Sequence, residues 1–306
     1  MGIQRIEEAR FGVTDVAECV RFFGDFGLQQ LESSPHGATF LTPAGQRLEL
    51  LCEDDPSLPA ALEAAPTIRE VIWGVEDQAS LDALADDLSR DREVEVEVAG
   101  VVHTRDDTGF GLGFRVARPR PVDPGEARRA NATGSVERWN QPLTRYGRAH
   151  PLRICHVALN IPAQGRDEAV AFYVDRLRFR VTDQLLDMGT FMQCEGDDDQ
   201  HNLLLGHRAD RAGINHLAYE VRNFDEVIEG GNHMVACGWK EARRLGRHTI
   251  GSNVFRFFHA PCGGRVEYAA DMDRVDAGYG PNVYEQRPPH HLWMLTSSGD
   301  RGEEAP

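Results

Sequence analysis

One order of elements recurs four times along the chain: a strand-like segment, an amphipathic helix-like segment, and then further strand-like segments. The strand-like segments alternate or run apolar and are bounded by Gly, Pro and Asp. The helix-like segments carry apolar residues near i, i+3, i+4 and i+7, which in the third copy are Ala169, Phe172, Tyr173 and Leu177. The opening strands are 6–13, 69–75, 153–161 and 214–221, and the helices are 15–28, 79–90, 167–179 and 224–239. The repeat predicts an α+β chain of βαβββ modules.

A segment rich in Pro, Gly, Arg and Asn separates the second copy from the third, at residues 118–151. We interpret it as an inter-domain linker, because 306 residues are enough for two domains of roughly 150 residues each. The predicted domains are 1–135 and 136–275, each with two modules that form an open barrel. Residues 276–306 are a Pro-containing tail that we expect to pack back onto the second domain.

Composition excludes several partners. The chain has 33 basic and 49 acidic residues and a net charge of −16, and so acidic a surface repels nucleic-acid phosphates. No apolar run approaches the roughly 20 residues that span a bilayer, and the N-terminus lacks the pattern of a signal peptide. The six cysteines form no CxxC pair, so we interpret them as reduced thiols and expect a cytoplasmic protein.

Two histidines and one glutamate of the second half lie on strand-like segments that a paired-module fold can bring together. His156 and His216 occupy matching positions in the opening strands of copies three and four, and Glu267 lies on the last strand of copy four. The first two copies have approximately Ala9 and Glu70 at the corresponding places, so only the second half has this set. Two imidazoles and one carboxylate that converge form a facial triad, which leaves three positions open on a divalent metal.

Two further histidines, His201 and His248, lie between these candidate ligands at similar places in the third and fourth copies. We predict that His201 transfers protons, because an imidazole with an unperturbed pKa of about 6.5 suits this task near neutral pH. We predict that His248 donates a hydrogen bond to a substrate oxygen. The candidate walls of the substrate pocket are Phe191, Asn215 and Phe257.

Four other side chains are expected to have no role in the chemistry. Cys155 and Tyr268 neighbour candidate ligands on their strands and are expected to face away from them and pack. The His290–His291 pair lies in the Pro-rich tail and is expected to be solvated.

This set of residues resembles the type I extradiol ring-cleavage (catechol) dioxygenases of the vicinal oxygen chelate superfamily. The resemblance covers both halves in architecture, and its specific motifs lie between about 153 and 270. His156 in CHVALNI and His216 in NHLAYEV match the metal-binding histidines of that family. The family's glutamate ligand lies in a stretch like P-x-G-x-x-x-E-Y, which this chain also has. The matching residues of that stretch are Pro261, Gly263, Glu267 and Tyr268.

The catalytic histidines of that family match as well. His201 precedes an apolar strand in HNLLL, as the family's acid–base histidine does, and His248 follows Gly-Arg, as a further active-site histidine of the family does. One position departs from the family pattern: Phe257 stands where the family has a tyrosine, ten residues before the glutamate. The departure keeps an aromatic ring but removes a hydroxyl that would contact the substrate.

The resemblance implies a dioxygenase that inserts both atoms of O2 into a small aromatic diol and cleaves the ring beside the diol. It implies Fe(II) as the metal, with Mn(II) able to replace it because both accept N and O ligands in octahedral geometry. It also implies a homo-oligomer. Two alternatives stay open: a metal-dependent isomerase, lyase or epoxide-opening enzyme of the same superfamily, and a ligand-sequestering protein with a relict site.

Overall fold

The computed structural model describes residues 2–123, 125, 130–142 and 145–296, and structural statements below refer to these residues. The N-terminal half forms an eight-stranded sheet with two helices. Its elements are β1 (Ile3–Val13), α1 (Val16–Phe26), β2 (Gln29–Ser34), β3 (Gly37–Leu41), β4 (Arg47–Cys52), β5 (Thr67–Val75), α2 (Gln78–Leu88), β6 (Glu95–Val96), β7 (Val102–Arg105) and β8 (Gly111–Val116). The strand order is β2-β3-β4-β1-β5-β8-β7-β6.

The C-terminal half repeats this plan in a ten-stranded sheet. Its elements are β9 (Arg153–Pro162), α3 (Arg166–Ala171), a π-helical turn (Phe172–Arg176), β10 (Arg180–Leu185), β11 (Gly189–Gln193), β12 (Leu203–Arg208), β13 (Gly213–Glu220), α4 (Phe224–Ala236), β14 (Glu241–His248), β15 (Val254–His259), β16 (Arg265–Ala270), β17 (Asn282–Tyr284) and β18 (His291–Met294). The strand order is β17-β10-β11-β12-β9-β13-β16-β15-β14-β18.

Strand direction shows that each half is a pair of βαβββ modules. In every module the first strand runs parallel to the last, as β1 does with β4 and β13 with β16. The two opening strands of each half, β1 with β5 and β9 with β13, pair antiparallel at the centre of the sheet. The predicted α+β fold of tandem module pairs is therefore confirmed.

Helix α1 illustrates how the sequence sets an element. Asp15 caps its N-terminus by accepting a hydrogen bond of 2.8 Å from the backbone N–H of Glu18. Gly27 ends the helix at φ 100°, a left-handed conformation that favours glycine. Phe22, Phe23 and Phe26 are fully buried against the sheets. None of the described helices combines the length and apolarity needed to cross a bilayer.

The two halves share one continuous apolar core. The rings of Phe26 and Tyr268 stack with centroids 4.0 Å apart, and the Tyr268 hydroxyl donates a hydrogen bond of 2.8 Å to the carbonyl oxygen of Phe26. Farther along, the Tyr173 hydroxyl donates to a carboxylate oxygen of Asp106 at 2.8 Å. Residues 117–152 join the halves and contain no helix or strand in their described part. The predicted boundary near residue 135 falls within this segment and stays a prediction.

The described part of the tail, up to residue 296, joins both edges of the second sheet. Strand β17 pairs with β10 at one edge, and β18 pairs with β14 at the other. Seven Cα–Cα steps from Tyr284 to His291 span at most about 25 Å, so the sheet curls until its edges lie near each other. This curvature gives the sheet a concave face on which side chains from distant strands meet.

Candidate metal centre and active site

Strand register places the three candidate ligands on one face of the second sheet. They lie on β9, β13 and β16, which are adjacent at its centre. His156 pairs with Ala218, and Ala218 pairs with Glu267, so these side chains form one row across three strands. His216 is two residues from Ala218 and therefore points to the same face. All three candidate ligands are buried.

The ligand atoms lie at distances that suit one octahedral ion. The Nε2 atoms of His156 and His216 are 3.0 Å apart, and Oε2 of Glu267 lies 3.1 Å from the first and 3.4 Å from the second. Two ligands at about 2.1 Å from an ion and at 90° to each other are separated by about 3.0 Å, whereas opposite ligands are about 4.2 Å apart. The three atoms therefore fit adjacent corners of an octahedron.

Burial and hydrogen bonding also favour a cation at this point. Oε1 of Glu267 accepts a hydrogen bond of 2.9 Å from the Asn253 amide, but the buried Oε2 accepts none. Burial raises the pKa of Glu267 to about 8 and lowers the pKa of His156 to about 3. A buried carboxylate oxygen without a donor faces two neutral imidazoles, and a divalent cation would satisfy all three ligand atoms.

Asn215 orients one of these imidazoles. Its side-chain oxygen lies 2.9 Å from Nδ1 of His216 and also accepts a hydrogen bond from Arg265. Its amide nitrogen donates to the side-chain oxygen of Asn160 at 3.0 Å, which fixes the direction of the amide. Nδ1 of His216 must then be the donor, and its Nε2 keeps a lone pair for a metal. For His156, Nδ1 lies 3.6 Å from Sγ of Cys155.

His201 is held in one tautomer by a chain of polar contacts. Its ring lies 4.5 Å from that of His156, and its Nδ1 lies 2.6 Å from Oε1 of Gln200. The amide nitrogen of Gln200 donates to the carboxylate of Asp183, which also accepts a hydrogen bond of 2.9 Å from Asn282. An ionised carboxylate only accepts, so Gln200 presents its oxygen to His201, and Nε2 of His201 is the proton acceptor. Burial lowers the pKa of His201 well below its usual value.

His248 lies across the centre from His201, at the end of β14. Its Nε2 is 3.9 Å from Oε1 of Glu267, and its ring stacks on Phe255 with centroids 4.1 Å apart. Phe257 pairs with Glu267 between β15 and β16, and its ring lies 5.1 Å from the ring of His216. The predicted wall residue therefore stands directly beside the candidate metal centre.

A cavity of about 290 Å³ opens onto these groups. Of the eight residues predicted for the site, seven line the cavity: His156, Phe191, His201, Asn215, His216, His248 and Phe257. Glu267 lies behind this lining and is fully buried. The structure therefore brings all eight predicted positions to one place.

Sequence reasoning missed other residues of the cavity. The lining also includes Arg208, Arg243, Arg265, Arg287 and His290. Arg265 could have been found, because it lies two residues before Glu267 on the same face of a strand. The expectation that the His290–His291 pair is simply solvated is wrong, because the tail carries His290 to the cavity and its ring lies 5.4 Å from that of His248.

The first sheet has a different set at the corresponding positions. If Glu70 corresponds to His216, then Ile72 corresponds to Ala218. Ile72 pairs with Glu8 and with Gly113, so these two residues are the counterparts of His156 and Glu267. The predicted counterpart Ala9 is thus off by one residue, which in a strand means the opposite face. Glu70 already contacts Arg10 at 3.0 Å and His103 at 2.7 Å. Glycine at position 113 supplies no ligand.

Comparisons with known proteins agree with this geometry. A family model described as Glyoxalase/Bleomycin resistance protein/Dioxygenase superfamily matches residues 153–268. Metapyrocatechase 2 of Cupriavidus necator is 36% identical over 131 residues, which are 43% of this chain and 40% of that protein. The match thus spans less than half the length of this curated relative.

Solved structures match nearly the whole chain at low identity. BphC, a halotolerant catechol dioxygenase, has a TM-score of 0.73 at 18% identity, with 97% of this chain and 95% of that chain covered. The Mn(II)-bound glyoxalase from Novosphingobium aromaticivorans has a TM-score of 0.71 at 20% identity, with 94% and 89% covered. The 2,3-dioxygenase LapB from Pseudomonas sp. KL28 has a TM-score of 0.73 at 16% identity, with 93% and 98% covered. Residues 153–268 therefore match the model of the Glyoxalase/Bleomycin resistance protein/Dioxygenase superfamily, and the chain as a whole has the tandem vicinal oxygen chelate fold.

Proposed function

We propose that this protein is an extradiol dioxygenase, which inserts both atoms of O2 into a catecholic ring and cleaves it beside the diol. The proposal rests on one observation. The Nε2 atoms of His156 and His216 and Oε2 of Glu267 lie 3.0–3.4 Å from one another on one face of a sheet, next to a cavity. That arrangement holds an ion from one side and leaves the other side for a diol and O2. The relative named metapyrocatechase and the structural neighbour named catechol dioxygenase support this activity.

The residues that would hold the metal are His156, His216 and Glu267. The chemistry that a bound Fe(II) supplies is Lewis acidity toward the two diol oxygens and one-electron reactivity toward O2. Diol and O2 together contain every atom of the ring-opened product, so the reaction needs no other reductant. Two neutral imidazoles and one carboxylate leave the site with net positive charge, which favours an ionised diol.

His201 is the group that we propose to move protons. Its Nδ1 faces Gln200, so its Nε2 takes a proton from a diol hydroxyl when the substrate binds. Burial lowers the pKa of this imidazole well below its usual value, so the neutral ring is a weaker base and its imidazolium is a stronger acid, which returns the proton readily. Gln200 and Asp183 hold the ring in the required tautomer throughout.

His248 and Phe257 define the opposite side of the cavity. Phe257 has no group that donates a hydrogen bond, and we assign His248 as a donor to an oxygen atom there. Phe191 closes the His201 side, with its ring 5.0 Å from that of His201. These apolar walls keep water from the reacting ring.

The test is anaerobic reconstitution with Fe(II), or with Mn(II) in a parallel sample, followed by oxygen-electrode assays with unsubstituted catechol and substituted catechols. We expect one O2 consumed per diol, together with a rise in visible absorbance from the ring-opened product. Metal-loaded protein that leaves every diol intact in air would overturn the proposal. The relative rates of the two samples decide between Fe(II) and Mn(II).

The alternative is a metal-dependent isomerase, lyase or epoxide-opening enzyme. The phenyl ring of Phe257 and the likeness to a Mn(II)-bound glyoxalase favour it over other candidates. It predicts turnover without O2 uptake, whereas a ligand-sequestering protein predicts tight binding and no turnover. The homo-oligomeric state and the cytoplasmic location stay predictions, and analytical ultracentrifugation tests the first.

A further inference from the structure

The cavity beside the candidate metal centre has a strongly basic wall. Four arginines line it: Arg208, Arg243, Arg265 and Arg287. They come from three different strands, β12, β14 and β16, and from the tail segment between β17 and β18. Among the residues that line the cavity, Asp187 carries the one carboxylate. The wall therefore has a net positive charge, in a chain whose overall charge is −16.

These guanidinium groups are close enough to repel one another. The pKa of Arg208 is lowered by burial first, and then by the nearby charges of Arg211, Arg287 and Arg243. In the described part of the chain, neither Arg208 nor Arg287 forms an ion pair with Asp or Glu. Because Arg208 and Arg287 lie near other positive charges and form no ion pair of their own among the described residues, an anion in the cavity would be stabilised by both of them.

The basic wall begins one aromatic ring away from the metal ligands. The guanidinium of Arg265 lies 5.2 Å from the centroid of the Phe257 ring, and that of Arg243 lies 5.7 Å from it. The same ring lies 5.1 Å from the imidazole of His216. A ring whose diol oxygens point to the metal centre can therefore carry a substituent that reaches the arginines.

We propose that the substrate is an aromatic diol with a carboxylate on its ring or on a short side chain, and that Arg208 and Arg287 bind this carboxylate. A planar carboxylate matches the fork of a guanidinium, and such charge-assisted hydrogen bonds are among the strongest in proteins. The tail thus contributes Arg287 to substrate recognition. This inference rests on the proposed dioxygenase function, because it assumes that the diol lies at the metal centre.

The test compares matched probes that differ only in charge. The probes are 3,4-dihydroxybenzoate, 3,4-dihydroxyphenylacetate and 3-(3,4-dihydroxyphenyl)propionate, each paired with its primary amide. We expect the best carboxylate to exceed its amide about 10- to 100-fold in kcat/KM with the Fe(II)-loaded enzyme. In Arg208→Gln and Arg287→Gln we expect this ratio to fall to about 3 or below, because one guanidinium is lost.

Arg90→Gln is the matched control, since Arg90 is an exposed residue just after α2 in the other half of the chain. It removes the same charge, so the carboxylate-to-amide ratio should stay at the wild-type value. Arg287→Glu reverses one charge of the wall, and we expect it to lower the carboxylate-to-amide ratio further than Arg287→Gln does. If all three amides equal their carboxylates in the wild-type enzyme, the inference is wrong.

A second readout separates this inference from the proposed function. Anaerobic calorimetry measures binding of each carboxylate and amide without any turnover. Cleavage of unsubstituted catechol with no preference for carboxylates, in kinetics or in calorimetry, overturns the inference and leaves the dioxygenase proposal standing. If no diol is cleaved at all, the dioxygenase proposal fails, and calorimetry alone decides whether Arg208 and Arg287 select carboxylates.

Discussion

The Nε2 atoms of His156 and His216 lie 3.0 Å apart, although 60 positions separate these residues in the chain. Antiparallel pairing of β9 with β13 brings them together, so the fold itself places the two nitrogens. Metal binding then needs little rearrangement of the backbone, and the third ligand atom, on Glu267, lies on the strand next to β13. Removal of one ligand is therefore expected to affect the metal more than the fold.

Glu267→Gln tests this expectation. The amide keeps the shape of the carboxylate but lacks its charge, and we expect bound metal to fall at least about 10-fold, with an unchanged circular dichroism spectrum. Inductively coupled plasma mass spectrometry measures the metal content. Glu32→Gln, the same change at an exposed strand position, is the control. Full metal occupancy in Glu267→Gln would mean that the ion binds elsewhere.

His201→Ala separates proton transfer from metal binding. General acid–base groups typically contribute about 10²- to 10⁴-fold, so we expect kcat to fall within that range while the metal content stays at the wild-type level. Stopped-flow absorbance of the ring-opened product and metal analysis of the same sample provide the two measurements. His36→Ala, at an exposed turn, controls for loss of a histidine. Normal turnover would show that the proton-transfer assignment is incorrect.

Asp183→Asn tests the contacts that orient His201. An asparagine can donate as well as accept, so Gln200 is no longer forced to present its oxygen to the imidazole. We expect kcat to fall roughly 10-fold and the acidic limb of its pH profile to move, with metal content unchanged. Asp175→Asn, at an exposed position of the π-helical turn, is the matched control. An identical pH profile in both variants would argue against a positioning role for Asp183.

Phe257→Tyr restores the hydroxyl that the related family has at this position. We expect activity to be retained, with a loss of at most about 150-fold, because an unsatisfied hydroxyl in this wall costs about 1–3 kcal/mol at most. Steady-state kcat/KM with catechol measures the effect. Complete loss of activity would indicate that this wall is shaped around a substrate other than a catechol.

Glu8 is expected to make the free energy of unfolding depend on pH. Burial, followed by the nearby Glu49, raises the pKa of Glu8 from 4.5 to about 7. Between these values the folded chain keeps a proton that the unfolded chain has released, so this part of the stability is present below about pH 4.5 and is lost as pH rises to about 7. We expect a loss on the order of 2 kcal/mol across this window.

The comparison is between the wild-type protein and Glu8→Gln, with urea unfolding measured in steps from pH 5 to pH 8. Glutamine does not titrate, so the variant should lack this part of the decline. Parallel stability curves for the two proteins would contradict the assignment.

The repeat and the candidate ligand set could be predicted from the sequence because both depend on local patterns. The opening strands of the third and fourth copies are largely apolar, and His156 and His216 interrupt them at matching positions. A buried polar residue in such a strand has few roles, and a metal site is one of them. The structure confirms the module order that this pattern predicts.

The polar strands and the basic wall could not be predicted in the same way. Strand β2 is exposed along its whole length, and β14 carries three arginines, so neither shows the alternation that marks a half-buried strand. Arg287 reaches the cavity because β17 and β18 join opposite edges of one sheet, a non-local pairing without a local signal. The basic wall of the cavity could therefore be identified only from the three-dimensional structure.

The contact between Phe26 and Tyr268 indicates a structural role for the N-terminal half, although that half has no matching set of metal ligands. Tyr268 follows Glu267 on the same strand, and its ring faces the other way, onto helix α1. Strand β16, which carries Glu267, is thus held on its other face by a contact with Phe26, more than 200 positions earlier in the chain. The second half expressed alone would leave this aromatic face in water, so we expect it to be less stable than the whole chain.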